Sequence, residues 1–187
     1  LTNGDGIVIG LSGGMDSVCL LQVLAALRNE WQLRLVCVHV HHGIRGTAAD
    51  EDAAFAQRLA AKYNISFRLY EMDIPQLAKE QGLSEEEAGR NYRYRCFEEV
   101  RKELNFDKIA VAHHRDDQAE TVLWQILRGS GLRGVCGMRA GRANIIRPLL
   151  CLDRQQIEQI VRGNGDGWRE DATNREEKYT RNKIRNR

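Results

Sequence analysis

Ile7-Val8-Ile9 runs directly into Gly10-Leu11-Ser12-Gly13-Gly14-Met15-Asp16-Ser17, and a segment carrying Val18, Leu20, Leu21, Leu24 and Leu27 follows. The short β-branched run reads as a buried strand, and the spacing after it as an amphipathic helix. The turn between them must redirect the chain within a few residues. Gly13 and Gly14 suit it, since glycine takes positive φ at low cost and lets a ligand approach the backbone. A strand, a glycine turn and a helix start aim the orphan N–H groups of the first helical turn at an anion. The helix dipole contributes only about 0.3–2 kcal/mol, so a triphosphate needs several N–H groups and a cation acting together. Ser12, Asp16 and Ser17 add side-chain oxygens. A carboxylate repels phosphate, so Asp16 makes sense there as a Mg²⁺ ligand or as a helix cap. The plainer alternative is an ordinary strand-to-helix turn capped by Ser12 or Asp16. No Gly-Lys-Ser/Thr follows the glycines, which excludes a Walker loop.

Apolar runs and helical spacings alternate along the remaining chain. Strands are expected at 33–40, 65–70, 108–112 and 144–147, the last closed by Pro148. Helices are expected at 48–62 behind a Thr47 cap, at 74–81 with Gly82 as the stop, and at 84–104 behind a Ser84/Glu87 capping box. Two more fit at 116–127 and from Asp153 to 161. This alternation implies an α/β fold: a Rossmann-like parallel sheet with helices on both faces and right-handed crossovers. Ligands in such sheets bind at the carboxyl ends of strands, near the switch in strand order. The loops at Ser12, His41 and His113 all leave carboxyl ends. The 187 residues suffice for one domain.

The net charge of +2 hides a local imbalance. Arg128, Arg133, Arg139, Arg142 and Arg147 follow one another with no acidic residue between them, and Arg181, Lys183, Arg185 and Arg187 close the chain. Unopposed arginine among glycines is either solvated surface or a footprint for a phosphate backbone. No apolar segment is long enough to span a bilayer, so no membrane partner is expected. The five cysteines cannot all pair internally, and Cys19 and Cys37 lie in apolar periodic segments, which points to a reducing, cytoplasmic setting. No Cys-x-x-Cys occurs.

Two clusters stand out beyond the first loop. His39 alternates with valines and reads as a core-facing polar residue, whereas His41 and His42 lie past the strand end. His113, His114, Asp116 and Asp117 form a dense set of donors and acceptors. Alone, these residues would also suit a two-metal phosphoesterase, and Asp116 and Asp117 would equally serve as helix N-terminal charge. Arg90, Arg93 and Tyr94 share one helical face. Trp124 and Trp168 read as packing residues.

The Ser-Gly-Gly-x-Asp-Ser order after a buried strand resembles the pyrophosphate-binding loop of the PP-loop ATP pyrophosphatases. That resemblance implies AMP transfer. Further blocks are similar to signatures of the tRNA(Ile)-lysidine synthetases. They comprise Val38-His39-Val40-His41-His42-Gly43-Ile44-Arg45; Glu86-Glu87-Ala88-Gly89-Arg90 with Arg93-Tyr94; and Ala112-His113-His114-Arg115-Asp116-Asp117-Gln118-Ala119-Glu120-Thr121 with Arg128-Gly129-Ser130-Gly131. Ile146-Arg147-Pro148-Leu149-Leu150, Asp171-x-Thr173-Asn174 and Tyr179-x-Arg181-Asn182-x-Ile184-Arg185 complete the set. Thr173 stands where that family usually has serine and keeps the hydroxyl. Family members usually continue into C-terminal tRNA-holding domains, so the chain reads as the catalytic N-domain, 1–187, of a longer protein.

The resemblance implies adenylation of the wobble cytidine of tRNA(Ile) with a CAU anticodon, followed by attack of L-lysine to give lysidine, with ATP and Mg²⁺ as cofactors. Nucleotide contacts are expected from Ser12, Gly13, Gly14, Met15, Asp16, Ser17, His39 and His41, with Mg²⁺ on Asp16. Asp116 or Asp117 is expected to take the lysine proton, with Glu86 or Glu87 on its ammonium or α-amino group. Arg90 would meet the lysine carboxylate or the α-phosphate, and His113 and His114 the cytidine or a phosphate. Arg93, Arg128 and Arg133 complete the substrate set, with RNA contact expected in the 129–142 loop. A homodimer remains open. Rival readings are a tRNA thiolase, a metal phosphoesterase and a nucleotide-binding sensor without catalysis.

Overall fold

The computed structural model describes residues 1–41, 47–129 and 136–169. The elements are β1 (Gly6–Gly10), α1 (Met15–Leu27), β2 (Arg34–His41), α2 (Thr47–Lys62), β3 (Ser66–Glu71), α3 (Ile74–Gln81) and α4 (Glu85–Glu103). β4 (Lys108–Ala110), α5 (Arg115–Leu127), β5 (Gly141–Arg142), β6 (Ile145–Ile146) and α6 (Arg154–Gly163) follow. The strands form one sheet in the order β3-β2-β1-β4-β6-β5. All pairings are parallel except β5 with β6. The order runs outward from β1 in both directions, so the switch point lies between β1 and β4.

Alternation along the central strands sorts the core into two layers. Ile7 and Ile9 enter a cluster with residues of α1, α2 and α6, while Val8 between them enters a cluster with residues of α3 and α4. On β2, Cys37 joins the first cluster and Val36, Val38 and Val40 the second. Ala110 on β4 faces the first, Ile109 and Val111 the second. Burial pushes the thiols of Cys19 and Cys37 up to about 11 and about 12, so both pack as small apolar groups.

Local signals explain most boundaries. The Asp73 carboxylate caps α3 by accepting from the Gln76 N–H, Pro75 occupies its first turn, and Gly82 ends it at φ +64°. Ser84 accepts from the Glu87 N–H at the start of α4. Asp153 and Gln156 form a reciprocal capping box at α6. The expected cap by Thr47 concerns a side chain outside the described residues.

The structure corrects several expectations. α1 is not amphipathic: it is buried on nearly all sides, polar Ser17 and Gln22 included, because α6 packs along it and brings Ile157 and Val161 into the same core. The sheet is not wholly parallel, since β5 turns back on β6 at the edge. His41 ends β2 instead of lying past it, and β4 stops at Ala110, leaving Val111 and Ala112 to lead into α5. α5 packs little of itself away: none of its residues is buried, and Leu123, Ile126 and Leu127 are 44%, 53% and 67% exposed. Trp124 on that helix is therefore half-exposed beneath the Arg128 guanidinium, 4.8 Å from its ring centroid, whereas Trp168 packs against the core as expected.

Gly10 is the last residue of β1, and a methyl group there would sit 2.7 Å from the Phe97 ring. Phe97 is 2% exposed and has no space to yield. Gly10→Ala is expected to cost about 1–3 kcal/mol of stability through overpacking, measured as a lower urea midpoint at unchanged m-value.

Candidate functional site

β1 and β4 are neighbours, so the loops leaving them meet at the switch point. After β1 the backbone turns at Gly13, whose φ of +91° a residue with a side chain would adopt only under strain. Gly14 departs from the expected pair of left-handed glycines. It is extended at φ −71° and serves as the N-cap of α1. Ser17 organises the turn. Its hydroxyl donates to the Gly14 carbonyl at 2.8 Å and accepts from the Gly13 N–H at 3.1 Å. The Ser12 hydroxyl donates to Ser17 Oγ at 3.1 Å and accepts from the Gly14 N–H at 3.4 Å.

The start of α1 then differs from the others. α3, α4, α5 and α6 are capped by the side chains of Asp73, Ser84, His114 and Asp153, whereas the α1 cap residue is a glycine with no side chain to offer. Among the described N-caps, this one leaves first-turn N–H groups for an outside acceptor. Asp16 therefore does not cap the helix; it stands in its first turn. Met15 is 7% exposed within the core, so its backbone alone is available to a nucleotide.

Opposite this turn, α5 begins with a group the sequence did not identify as a cap. His114 is fully buried, and its Nδ1 accepts from the Asp116 N–H at 3.2 Å. Asp117 closes the box by accepting from the His114 N–H at 3.0 Å. With Nδ1 accepting, the proton of the neutral ring sits on Nε2. That atom lies 3.7 Å from the Asp16 carboxylate and 3.5 Å from the Asp117 carboxylate. One buried imidazole thus faces both acids, with Nε2 hydrogen-bonded to neither. The side chains of Asp116 and Asp117 remain 48% and 27% exposed.

His39 supports the loop from below. It is 5% exposed, and its Nδ1–H donates to the Leu11 carbonyl at 2.8 Å. Burial lowers its pKa, against the opposing effect of that hydrogen bond, and the charges of His41, Asp52 and Arg93 act on it as well. This is the core-facing role expected from alternation. His41 meets Asp50 of α2 at 3.4 Å. Arg93 is exposed to solvent yet surrounded closely enough that burial lowers its pKa, as for a cation lining a cleft.

The other expected residues have local contacts. Glu86, Glu87 and Arg90 are exposed on the first turns of α4, with Arg90 5.2 Å from the Tyr94 ring centroid. His113 is half-buried beside His114, and Arg128 stacks on Trp124. His42, Arg133 and Thr173 lie outside the described residues. The sequence reading missed Asp52 and Arg169, discussed below, and Gln118, whose amide donates to the Met138 carbonyl at 3.1 Å and accepts from its N–H at 2.6 Å. Gln118 stood inside a recognised block, but its partner 20 residues away left no local signal.

Chemically, the site offers an anion cradle with carboxylates alongside. Mg²⁺ fits this set: it is a hard cation usually held by one or two carboxylates together with phosphate oxygens and water. Among the described residues no group of three or more His, Cys, Asp or Glu could hold a metal ion alone, so Asp16 would share the ion with a bound phosphate.

The chain matches the PP-loop domain family over residues 2–187. It is 51% identical over 181 residues to a tRNA(Ile)-lysidine synthase of Caldanaerobacter subterraneus subsp. tengcongensis, covering 97% of this chain and 39% of that protein. It is 42% identical over 186 residues to a tRNA(Ile)-lysidine synthase of Clostridium tetani, covering 99% and 40%. The chain thus spans about two-fifths of the length of these curated relatives. Among solved structures, a U34-tRNA thiolase from Methanococcus maripaludis superposes with a TM-score of 0.78 at 19% identity, over 98% of this chain and 64% of that one. This last likeness establishes the fold.

The lowered pKa of His39 has a signed consequence. Below its ordinary value of 6.5 the unfolded chain takes up a proton that the folded chain resists. The stability is therefore complete above about pH 6.5 and drains away as pH falls toward the depressed folded value. Chemical denaturation between pH 7 and 5 should show falling stability. His39→Asn, which keeps a donor for the Leu11 carbonyl and cannot titrate, should flatten that slope.

Proposed function

Because the chain belongs to the PP-loop domain family, we propose that it carries the ATP-dependent chemistry of lysidine formation on tRNA(Ile). The reading rests on one observation: the start of α1 at the strand-order switch has no side-chain cap, and its Asp16 meets Asp117 of α5 at His114. The relatives' names support lysidine formation as the reaction of this cradle. At 42–51% identity they favour lysidine formation over thiolation, which only a fold likeness at 19% suggests.

In the first step the C2 oxygen of the wobble cytidine attacks the α-phosphate of ATP. The bond to the bridging oxygen breaks, and pyrophosphate leaves with the charge. The N–H groups of residues 15–17 take up that charge at fixed positions, where it develops and where no reorganisation is needed. Asp16 would hold Mg²⁺, which would supply further positive charge against the pyrophosphate.

In the second step the lysine ε-amine attacks C2, and AMP departs with the former carbonyl oxygen. The amine must first lose a proton, and its ordinary pKa is about 10.4. Asp117, pointing from α5 into the same space, is the base in this reading, with Asp116 beside it as a more exposed second acid. Positioned bases typically contribute about 10²–10⁴-fold. Glu86 or Glu87 would hold the lysine amino end, and Arg90 or Arg93 its carboxylate. The cytidine must leave the anticodon stack to reach the α-phosphate, and the Arg128–Trp124 pair stands at the end of α5 where RNA contact begins. The reaction belongs to the cytoplasm; no helix among the described residues is long and apolar enough to cross a membrane.

The test is ATP-dependent pyrophosphate release by the full-length protein, with and without the CAU-anticodon tRNA(Ile), alongside incorporation of labelled lysine. Release that depends on the tRNA, with lysine entering it, is the expected result. Release without tRNA would favour a phosphoesterase or a different acceptor. Asp16→Asn should abolish release in a folded protein. Asp117→Asn keeps an oxygen for the helix cap, and should release pyrophosphate while lysine incorporation falls at least about 10²-fold.

A further inference from the structure

The segment after α6 returns to the nucleotide loop. Asp166, with a side chain 5% exposed, anchors it: its carboxylate accepts from Lys62 at the end of α2 and from Tyr63 just past it at 2.5 Å each, and from Gln22 of α1 at 2.7 Å. Three residues on, the Arg169 N–H donates to the Gly13 carbonyl at 2.9 Å. Its guanidinium reaches the first turns of α2, with Nε 2.8 Å from Asp52 and an NH₂ group 2.7 Å from Glu51. α2 and this segment also crowd Gly13. A Cβ built there would lie 3.4 Å from the Phe55 ring, 3.8 Å from the Asp52 carbonyl oxygen and 3.8 Å from Arg169 Cγ.

Two carboxylates therefore stand on the helix that packs against a loop meant for a triphosphate. Left unopposed, they would repel the ligand and weaken the cradle. We propose that Arg169 is the positioning residue that makes this arrangement compatible with ATP. Its backbone fixes the Gly13 carbonyl and hence the left-handed turn, and its guanidinium neutralises the Glu51 and Asp52 charges beside the phosphates. The proposal rests on the reading of the 12–17 loop as the triphosphate site. It assigns to Arg169 no contact with the reacting atoms.

The experiment measures dissociation constants for ATP and AMP with magnesium in the full-length protein, by competition with a fluorescent ATP analogue, alongside the melting temperature. Arg169→Met keeps the backbone donor and the aliphatic stem. It is expected to weaken ATP about fivefold, as an exposed charge pair allows, and AMP much less, because the effect scales with ligand charge. Pyrophosphate release should show the same change in KM for ATP with kcat kept. Adding Glu51→Gln and Asp52→Asn to Arg169→Met should restore ATP affinity. The triple variant, lacking all three charges, also serves if Arg169→Met alone unfolds.

A merely structural strap would lower the melting temperature and leave the ATP-to-AMP affinity ratio unchanged. That result overturns the proposal, as does a loss in Arg169→Met that the two neutral substitutions fail to restore. If the wild-type protein binds no ATP, the loop reading falls and this proposal with it. If it binds ATP but forms no lysidine, the function reading fails alone.

Discussion

A helix start with no side chain to cap it is the constraint around which the rest of the molecule is arranged. α1 needs acceptors for its first N–H groups, and Gly14 supplies none. Against a Ser, Thr, Asn or Asp cap, a glycine costs only about a few tenths of a kcal/mol. Here the neighbourhood keeps the groups in place for a ligand. Ser17 and Ser12 spend their hydroxyls within the turn, His39 holds the Leu11 carbonyl from beneath, and α1 is buried on nearly all sides. A helix so enclosed cannot rotate or fray to satisfy itself. Core packing thereby keeps this helix start rigid.

The same enclosure explains the histidines. A solvated imidazole at the end of a strand would be a pH-sensitive contact for a nucleotide. His39 and His114 are instead buried, each with Nδ1 committed to a backbone group: His39 donates to a carbonyl and His114 accepts from an N–H. The two commitments are opposite, so in its neutral form His39 carries its proton on Nδ1 and His114 on Nε2. Only in His114 does a polarised N–H turn toward the carboxylates of the site. The distinction follows from backbone geometry, and it separates a residue that shapes the loop from one that faces the acids Asp16 and Asp117.

Much of the fold was readable because its signals are local or periodic. Ile7 to Ile9 and Val36 to Val40 alternate between two layers, as a parallel strand covered on both faces requires. Gly82, Ser84 and Asp153 mark helix ends through bonds to residues three or four positions away. The loop at Ser12 was legible for the same reason. The parts that escaped depend on partners distant in sequence. α1 read as amphipathic because nothing near it announces that α6 will cover its outer side. β5 is two residues long and pairs only through a tight reversal. Gln118 meets Met138, and Asp166 meets residues more than 100 positions earlier; neither pairing has a periodicity to betray it.

Arg169 is the sharpest case of that blindness, and its position shows why charge bookkeeping by segment misleads. Along the sequence, Asp50, Glu51 and Asp52 suit the N-terminal end of α2, where negative charge complements the helix dipole. In space, that end abuts the Gly13 turn, which in the proposed reading takes the triphosphate. The two demands conflict. A cation from the far end of the chain reconciles them while its own N–H holds the Gly13 carbonyl. One residue thus fixes both the shape of the turn and the sign of the field around it, so the cradle is complete only once the segment after α6 has docked.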